Sequence, residues 1–359
     1  VTAGFELKKL QMDFKQNIND LVLFNQSQSP DIFSAFIQDK WHLTSRLMIQ
    51  PGIRISKYSL HEDLYYEPRI GFKYLINEDL ALKGAYGSYK QFLFTVNDED
   101  EILNIVDFWQ PILENNSAKS LQQFLLGFEQ WVGKNWYMSL EGFYKPYDNT
   151  LTLNPNNNPS LDNDDYIEGE GTAYGFEILL KKNSGPLTGW IGYSYLNTEQ
   201  RYDFNSDGKI KEESGEIYSP KYDQPNGVNV VFNYKYNDKN SFGFTLSNSS
   251  GKPYTPTVGY TYTENSPGSF IVSTDNPYSN LVEIKGPRNS ARYPNYFRID
   301  LSWKRNIKPF GIDGKFKFQV INITNNFNTF LYSWDLENDK VTAVGMFPIL
   351  PTFGVEFDL

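Results

Sequence analysis

Apolar and polar residues alternate along much of this chain. Within residues 296–304 the apolar positions share one face and the polar positions the other, the apolar ones being Phe297, Ile299, Leu301 and Trp303. A period of two residues is that of a β-strand, because successive side chains point to opposite faces. The pattern recurs in about fourteen segments, near 2–14, 32–43, 46–58, 66–76, 79–93, 120–132, 135–147, 171–182, 187–200, 226–237, 240–250, 296–306, 314–323 and 349–359. No helical period competes with it, so the sequence predicts an all-β fold.

The connections between these segments alternate between short and long. Tight turns are predicted at 44–45, 77–79, 133–134, 183–186 and 237–239, where Gly, Asn, Asp and Pro supply turn geometry. Long connections are predicted at 94–119, 148–170, 201–225, 251–295 and 324–348. A soluble β-sandwich has no need to place its short turns at one end, whereas a transmembrane up-and-down barrel has short turns on one side and long loops on the other.

Composition agrees with a barrel whose apolar face meets lipid. Aromatic residues make up 16% of the chain and charged residues 21%. A soluble barrel of this many strands would enclose a space too wide to fill with side chains. Arg, Lys, Glu and Asp on one face fit a water-filled lumen, and aromatic residues near strand ends, such as Trp136, Tyr144 and Tyr147, fit the girdles at the membrane surfaces.

Other classes of protein are disfavoured. The chain has no cysteine and therefore neither disulfides nor thiolate metal sites. Its net charge of −10 argues against a nucleic-acid partner, which requires a basic surface. No apolar run reaches the ~18 residues of a membrane-spanning helix. We therefore predict a transmembrane antiparallel barrel in the bacterial outer membrane, with long loops extracellular and short turns periplasmic; a large soluble β-sandwich or propeller is the alternative.

Several motifs resemble those of one family. RYPNYFRIDLSWK (292–304), VINITNNFN (320–328) and FPILPTFGVEFDL (347–359) resemble the closing strands of TonB-dependent outer-membrane receptors of the Bacteroidota type. Earlier landmarks agree in order, namely AFIQDKW (35–41), PGIR (51–54), PRIGFKY (68–74), AYGSYKQF (85–92), LEGFYKPYDN (140–149), GTAYGFEILLKK (171–182) and GWIGYSY (189–195). The series covers almost the whole chain.

This resemblance implies a domain organisation and a set of partners. The family's complete barrel has twenty-two strands around a globular plug, so residues 1–359 are expected to form a single C-terminal barrel portion without the plug and the first strands. The family takes up a scarce ligand (siderophore, vitamin, oligosaccharide or peptide) with energy from TonB, which acts through the plug region. Outer-membrane lipid is a further expected partner. The barrel assembly machinery is another, acting through the last strand, where Leu359 replaces the family's usual terminal Phe.

One acidic loop is a candidate metal site. In residues 203–214, Asp203, Asn205 and Asp207 occupy positions 1, 3 and 5 of a calcium-loop pattern, followed by a glycine. The closing bidentate Glu expected at position 12 is replaced by Ser214, and Glu213 lies just before it. The sequence therefore raises a possible Ca²⁺ site, with an ordinary Asp/Asn/Gly turn as the alternative; no cofactor is required.

Two further groups are candidates for ligand contact. The loop aromatics could stack on a ligand or pack the loops together; they are Phe108, Trp109, Tyr332 and Trp334. Arg54, Arg69, Arg298 and Lys304 could steer an anionic ligand in the lumen. Alternatively these arginines, with Lys304, pair with carboxylates across the wall, the candidates being Glu129, Glu141, Glu177, Asp300 and Glu356. Only two histidines are present, neither with a partner marked by spacing, so no catalytic site is predicted.

Three functions remain open at this point. The first is the barrel portion of a TonB-dependent active transporter. The second is a complete fourteen-stranded passive porin or fatty-acid-type channel. The third is a surface adhesion or secretion-associated barrel that uses the same fold without transport. A plug and a TonB-contacting segment upstream in the gene would distinguish the first from the second.

Overall fold

A large antiparallel sheet dominates the computed structural model, which describes residues 1–18, 21–96, 108–154, 165–203, 215–262, 281–335 and 340–357. Fourteen strands follow one another along this sheet in chain order. They are β1 (Thr2–Lys9), β2 (Asp31–Gln38), β3 (Leu47–Tyr58), β4 (Leu64–Leu75), β5 (Leu80–Gln91), β6 (Lys119–Val132), β7 (Trp136–Leu153), β8 (Tyr166–Lys182), β9 (Leu187–Tyr202), β10 (Asn226–Lys235), β11 (Asn240–Ser249), β12 (Tyr296–Ile307), β13 (Gly314–Ile321) and β14 (Leu350–Phe357).

Each strand pairs with its neighbour in sequence, and every pairing is antiparallel. In the described part of the chain β1 and β14 form the two edges of the sheet and do not pair with each other. The predicted all-β, up-and-down arrangement is confirmed, and the barrel is open between these two strands.

Short and long connections alternate, as predicted, and lie at opposite ends of the sheet. We refer to these as the short-turn end and the long-loop end. Two of the short turns use the same device. The Asn77 side chain accepts hydrogen bonds from the backbone N–H groups of Asp79 and Leu80, at 2.9 and 2.8 Å. Asn237 does the same for Lys239 and Asn240, at 2.9 and 2.8 Å. Asparagine fixes a turn in this way because its short amide reaches the backbone two or three residues on.

The apolar face of the sheet is exposed rather than buried. Phe5 is 81% and Phe353 83% exposed, and Phe176 and Ile178 in the centre of the sheet are also exposed. Large apolar side chains on the water-facing side of a soluble protein would be unfavourable over so wide an area. Their regular placement at alternate positions is that of a lipid-facing barrel surface.

Strands β7, β8 and β9 are longer than a membrane requires. They contain 18, 17 and 16 residues, whereas about 9–11 residues cross a bilayer. One face of β7 is apolar near the short turn and becomes polar towards the long loop. Its residues include, in order, Trp136, Met138, Leu140, Tyr144 and then Asp148. The long-loop ends of these strands therefore extend beyond the apolar band, and we call them the projecting segments.

Some strand boundaries differ from the sequence prediction. The first predicted strand, 2–14, ends at Lys9, and Met12–Ile18 instead pairs with Leu21–Gln28 as a separate hairpin. Short strand pairs also occur inside other long connections, namely Leu93–Val96 with Phe108–Pro111, Pro253–Tyr254 with Ala291–Arg292, Thr257–Tyr262 with Leu281–Lys285, and Thr329–Asp335 with Lys340–Gly345. These hairpins lack a long alternating pattern, so periodicity alone did not reveal them.

Tyr147 was expected in an aromatic girdle and is not there. It is only 7% exposed, and its hydroxyl donates to the backbone oxygen of Glu199 at 3.3 Å. By alternation Tyr147 shares the polar face of β7 with Glu141 and Lys145, and its ring lies over Gly171 of the neighbouring strand. No helix in the described part of the chain has the length and hydropathy needed to cross a membrane.

Candidate functional site

Ion pairs cover the polar face of the first strands. On β3, Arg54 donates from a guanidinium nitrogen to Glu6 of β1 at 2.7 Å, reaching across β2. Its Nε lies 3.5 Å from a carboxylate oxygen of Glu67 on β4. Glu67 is 4% exposed and also accepts from the Ser56 hydroxyl at 3.1 Å and the Lys90 backbone N–H at 3.0 Å. This buried carboxylate is therefore well satisfied, as a buried charge must be.

Arg69 joins the same cluster from β4. Its guanidinium lies 3.7 Å from Glu67 and 4.6 Å from the centre of the Tyr89 ring. A guanidinium over an aromatic face gains a cation–π attraction. Of the three predicted arginines, Arg54 and Arg69 are thus brought together around one carboxylate, and both remain partly exposed on the polar face.

A second ion-pair group lies nearer the short-turn end. Lys73 of β4 binds Glu129 of β6, and Lys83 of β5 lies 4.0 Å from Glu129 and 3.2 Å from Glu141 of β7. Several of these pairs reach across an intervening strand, a distance of about 10 Å between strand axes. Together with the Arg54 cluster they form what we call the charged wall, made of Glu6, Arg54, Glu67, Arg69, Lys73, Lys83, Glu129 and Glu141.

The polar face of β9, β10 and β11 has a different chemistry. Ser194, Gly227 and Ser249 lie in one register row, and Gly192, Asn229 and Ser247 in the next. The Ser247 hydroxyl donates to the Asn229 side-chain oxygen at 3.1 Å. Ser194, Asn229, Ser247 and Ser249 border a cavity of about 580 Å³, which Lys145 and Glu177 also line. We call Ser194, Asn229, Ser247 and Ser249 the neutral wall.

Arg298 forms a separate pair on β12. It donates to both oxygens of Asp300, two residues along the same strand, at 2.8 and 2.5 Å. Asp300 also accepts from the backbone N–H of Asn322 at 2.9 Å. Asn322 has a positive φ of 54° and donates to the carbonyls of Asn326 and Phe347, at 3.0 and 3.2 Å. The NITNNFN motif therefore fixes the chain where β13 leads into its long loop.

The predicted pairing partners are only partly as expected. Arg298 binds Asp300 as expected, but Arg54 and Arg69 bind Glu67 and Glu6 instead of the carboxylates proposed for them. Glu129, Glu141 and Glu356 pair with Lys73, Lys83 and Lys317. Glu177 lies opposite Glu141 in register, and no ion pair joins it to a residue in the described ranges. The cause is register, which sequence patterns leave undetermined.

The aromatic residues of the long loops are divided between two places. Tyr332 stacks on Tyr293 with ring centres 5.3 Å apart, and Tyr254 lies 4.4 Å from Tyr293 and 5.4 Å from Tyr332. Burial raises the pKa of the Tyr254 and Tyr293 hydroxyls. Trp109 lies apart, in another connection, with 49% of its side chain exposed. The side chains of Phe108 and Trp334 lie outside the described part. The tyrosine cluster joins two loops, and ligand contact by any of the four predicted aromatics stays a prediction.

Most of the candidate calcium loop lies outside the described residues. Asp203, at its first position, is fully buried; Asn205, Asp207 and Glu213 are not described. No cluster of three or more carboxylate or histidine side chains suited to a metal occurs within the described ranges. Calcium binding by residues 203–214 stays a prediction.

His61 has a structural place at the long-loop end. Its Nδ1 lies 2.5 Å from the Tyr65 hydroxyl and its Nε2 3.0 Å from the backbone oxygen of Leu113. The Nε2 contact joins the connection before β4 to the one before β6, and the Nδ1 contact holds the ring against β4.

Comparison with known proteins identifies the family to which this two-faced sheet belongs. A family model described as the β-barrel of TonB-dependent receptor-like proteins matches residues 3–325. The chain belongs to this family. The predicted family is confirmed, while its Bacteroidota subtype stays a prediction. A search of the curated proteins finds no significant match.

Solved structures of outer-membrane receptors have a similar fold. The ferripyoverdine receptor of the outer membrane of Pseudomonas aeruginosa is similar with a TM-score of 0.61 and 13% identity, over 94% of this chain and 40% of that one. The ferric-catecholate import receptor Fiu from E. coli K12 is similar with a TM-score of 0.58 and 13% identity, over 92% of this chain and 45% of that one. The outer-membrane transporter YddB from Escherichia coli is similar with a TM-score of 0.58 and 12% identity, over 93% of this chain and 46% of that one.

Family membership indicates the cellular location of the sheet. TonB-dependent receptors are outer-membrane proteins, which agrees with a sheet that has an exposed apolar face and a polar face carrying the charged and neutral walls. This chain spans less than half the length of the three structures described above.

Proposed function

We propose that this chain forms part of the wall of an active transporter in the bacterial outer membrane, which takes up a scarce ligand with energy supplied through TonB. The observation that carries the proposal is the family match over residues 3–325 on a sheet with an apolar outer face and a polar inner face. TonB would act through a plug region of the family type, and the chain would supply the inner wall and the external loops.

The orientation follows from loop length. Long loops with paired strands and packed aromatics suit the extracellular side, where ligand is captured, and the short asparagine turns suit the periplasmic side. Trp109 and the Tyr254–Tyr293–Tyr332 cluster would then lie outside the cell. Lipid would contact the apolar face, and the barrel assembly machinery would recognise the last strand.

The ligand class is the least determined part. Two of the structural relatives are named for ferripyoverdine and for ferric catecholate. We propose a ferric siderophore as the first class to test, followed by vitamins, oligosaccharides and peptides. A catalytic role is not proposed, because the family consists of transport receptors and His61 is engaged in joining loops.

A growth and uptake experiment tests this function. A strain that lacks the gene is compared with its parent on panels of ferric siderophores, vitamins, oligosaccharides and peptides as limiting nutrients. We expect one class to support growth of the parent only, and uptake of that ligand to stop when TonB is removed.

A passive channel would give a different result. Entry of the ligand would then continue without TonB and would rise linearly with its external concentration. Either outcome would overturn the proposal of active transport.

A further inference from the structure

A small cavity lies among the projecting segments, away from the charged and neutral walls. It has a volume of about 150 Å³ and lies between the start of β6 and the ends of β5, β7 and β9. Its polar lining includes Lys119, Lys221, Asn149, Thr150 and Gln200. On the other side are Phe94, Ile112 and Leu151, which pack together as a buried apolar cluster. The cavity therefore has a mainly polar lining with an apolar cluster on one side, and it has room only for a small group.

Lys119 is the unusual member of this lining. Its ammonium lies 5.4 Å from the centre of the Tyr147 ring, and no hydrogen bond or ion pair joins it to any residue that the structure describes. The lysines of the charged wall, by contrast, bind carboxylates. Lys119 lies five residues beyond Phe124, towards the long loops and past the apolar band of β6, so it is outside the membrane.

Lys119 is partly buried, and this makes the lack of a carboxylate significant. Desolvation lowers the pKa of the Lys119 amine. An ammonium taken out of water without a carboxylate partner is unfavourable, because the attraction that would offset its desolvation is missing. A bound anion would supply that attraction.

Neighbouring groups are held in place for such an anion. Asn149 has a positive φ of 58° at the β-bulge and donates to the Ala118 backbone oxygen at 3.2 Å, which fixes the segment just before Lys119. Thr150 is 4% exposed, and its hydroxyl oxygen accepts from Tyr202 at 2.8 Å, so its own proton is available for a second acceptor. Gln200 is 7% exposed and donates to the Tyr222 hydroxyl at 3.3 Å.

We propose that this cavity binds the carboxylate of a small organic acid, or a carboxylate carried by a larger ligand, with Lys119 as the cation. Lys119 and Lys221 both line the cavity, so its charge favours an anion, and the apolar cluster accepts the carbon skeleton behind the carboxylate. The inference rests on the proposed function in one respect only: the acid is taken to be part of the ligand captured at the external mouth.

Binding is tested on the intact protein in detergent, with benzoate as the probe and benzamide as its uncharged control. Amine acetylation is followed by peptide mass spectrometry at Lys119 and at the exposed turn lysine Lys134. Benzoate at ten times its dissociation constant should slow acetylation of Lys119 about tenfold by mass action. It should leave Lys134 unchanged, and benzamide should protect neither.

Substitutions give a second measurement. By calorimetry, Lys119→Gln should weaken benzoate binding at least about tenfold, because a charge-assisted hydrogen bond is lost. Lys119→Arg should retain most of the affinity, and Lys134→Gln should bind as the parent does. Each variant is first checked for the heat-modifiable migration of a folded barrel; if Lys119→Gln does not fold, the acetylation result on the parent decides.

Two results would overturn the inference. One is equal protection of Lys119 and Lys134, or equal protection by benzoate and benzamide. The other is unchanged benzoate affinity in folded Lys119→Gln. These measurements need neither TonB nor transport, so active uptake can fail while the site stands, and the site can fail while uptake stands.

Discussion

The charged wall and the neutral wall are built on the same strand alternation but are held together in different ways. In the charged wall, long side chains reach across an intervening strand, as Arg54 does to Glu6 and Lys83 does to Glu141. In the neutral wall, short hydroxyl and amide groups contact the adjacent strand, as Ser247 does with Asn229. One wall connects strands at long range by charge, and the other connects nearest neighbours by neutral hydrogen bonds.

This difference affects both energetics and transport. Removing one member of a buried ion pair leaves the other charge uncompensated, whereas removing one neutral hydrogen bond costs much less. A wall of fixed charges also attracts or repels a charged solute, while hydroxyl and amide groups offer weak, exchangeable contacts. We therefore expect the charged wall to fix the shape of the sheet and the neutral wall to tolerate change.

The largest effect is expected at the centre of the charged wall. Arg54→Met should lower the free energy of unfolding by about 3 kcal/mol, because buried Glu67 and partly exposed Glu6 lose their shared cation. Equilibrium unfolding in urea, with the intact protein folded in lipid vesicles, measures this free energy. Ile55→Met, the neighbouring residue on the apolar face, is the matched control and should cost less than about 1 kcal/mol. Equal losses in the two variants would contradict the comparison.

A smaller loss is expected where the charged groups are more exposed. Lys83→Met should cost about 1 kcal/mol, since Glu129 keeps Lys73 and Glu141 is accessible to water. A double-mutant cycle with Glu141→Gln isolates the pair. Purely additive losses would show that Lys83 and Glu141 do not interact.

The neutral wall should respond least to loss of a side-chain group. Ser247→Ala removes the hydroxyl that donates to Asn229 and should cost about 0.5–1 kcal/mol. The same unfolding assay measures it, with Ser241→Ala on the same strand as the control. A loss as large as that of Arg54→Met would remove the distinction between the walls.

Salt should change the cost of a substitution in the charged wall by a few tenths of a kcal/mol, and leave that of a substitution in the neutral wall unchanged. Exposed charges are screened as ionic strength rises, so the cost of Lys83→Met should fall between 0.05 and 0.5 M NaCl, by about 0.5 kcal/mol. The cost of Ser247→Ala should not change. A salt-independent Lys83→Met would indicate that its loss comes from packing of the lysine stem.

Much of the fold could be predicted because alternation is a local property. The segment 296–306 was predicted from its period and corresponds to β12, Tyr296–Ile307. The hairpin of Met12–Ile18 with Leu21–Gln28 was missed because Met12–Phe14 alternates as a continuation of the first strand would, and residues 21–24 form an unbroken apolar run. The extra length of β7 was missed because the β-bulge between Asp148 and Thr150 interrupts its alternation. That of β8 was missed because Tyr166 and Ile167 are adjacent and only polar residues and glycine follow them up to residue 172.

The sequence by itself determined the strand order, the two faces of the sheet and the family, because each depends on residue type and spacing along the chain. Tertiary structure decided which charges meet. Arg54 lies 48 residues from Glu6, and their contact depends on the register of β1, β2 and β3. It also decided that Lys119, one lysine among many in the sequence, faces a cavity over Tyr147 without a carboxylate partner in the described residues. Burial and pairing are properties of the folded surface, and no pattern along the chain specifies them.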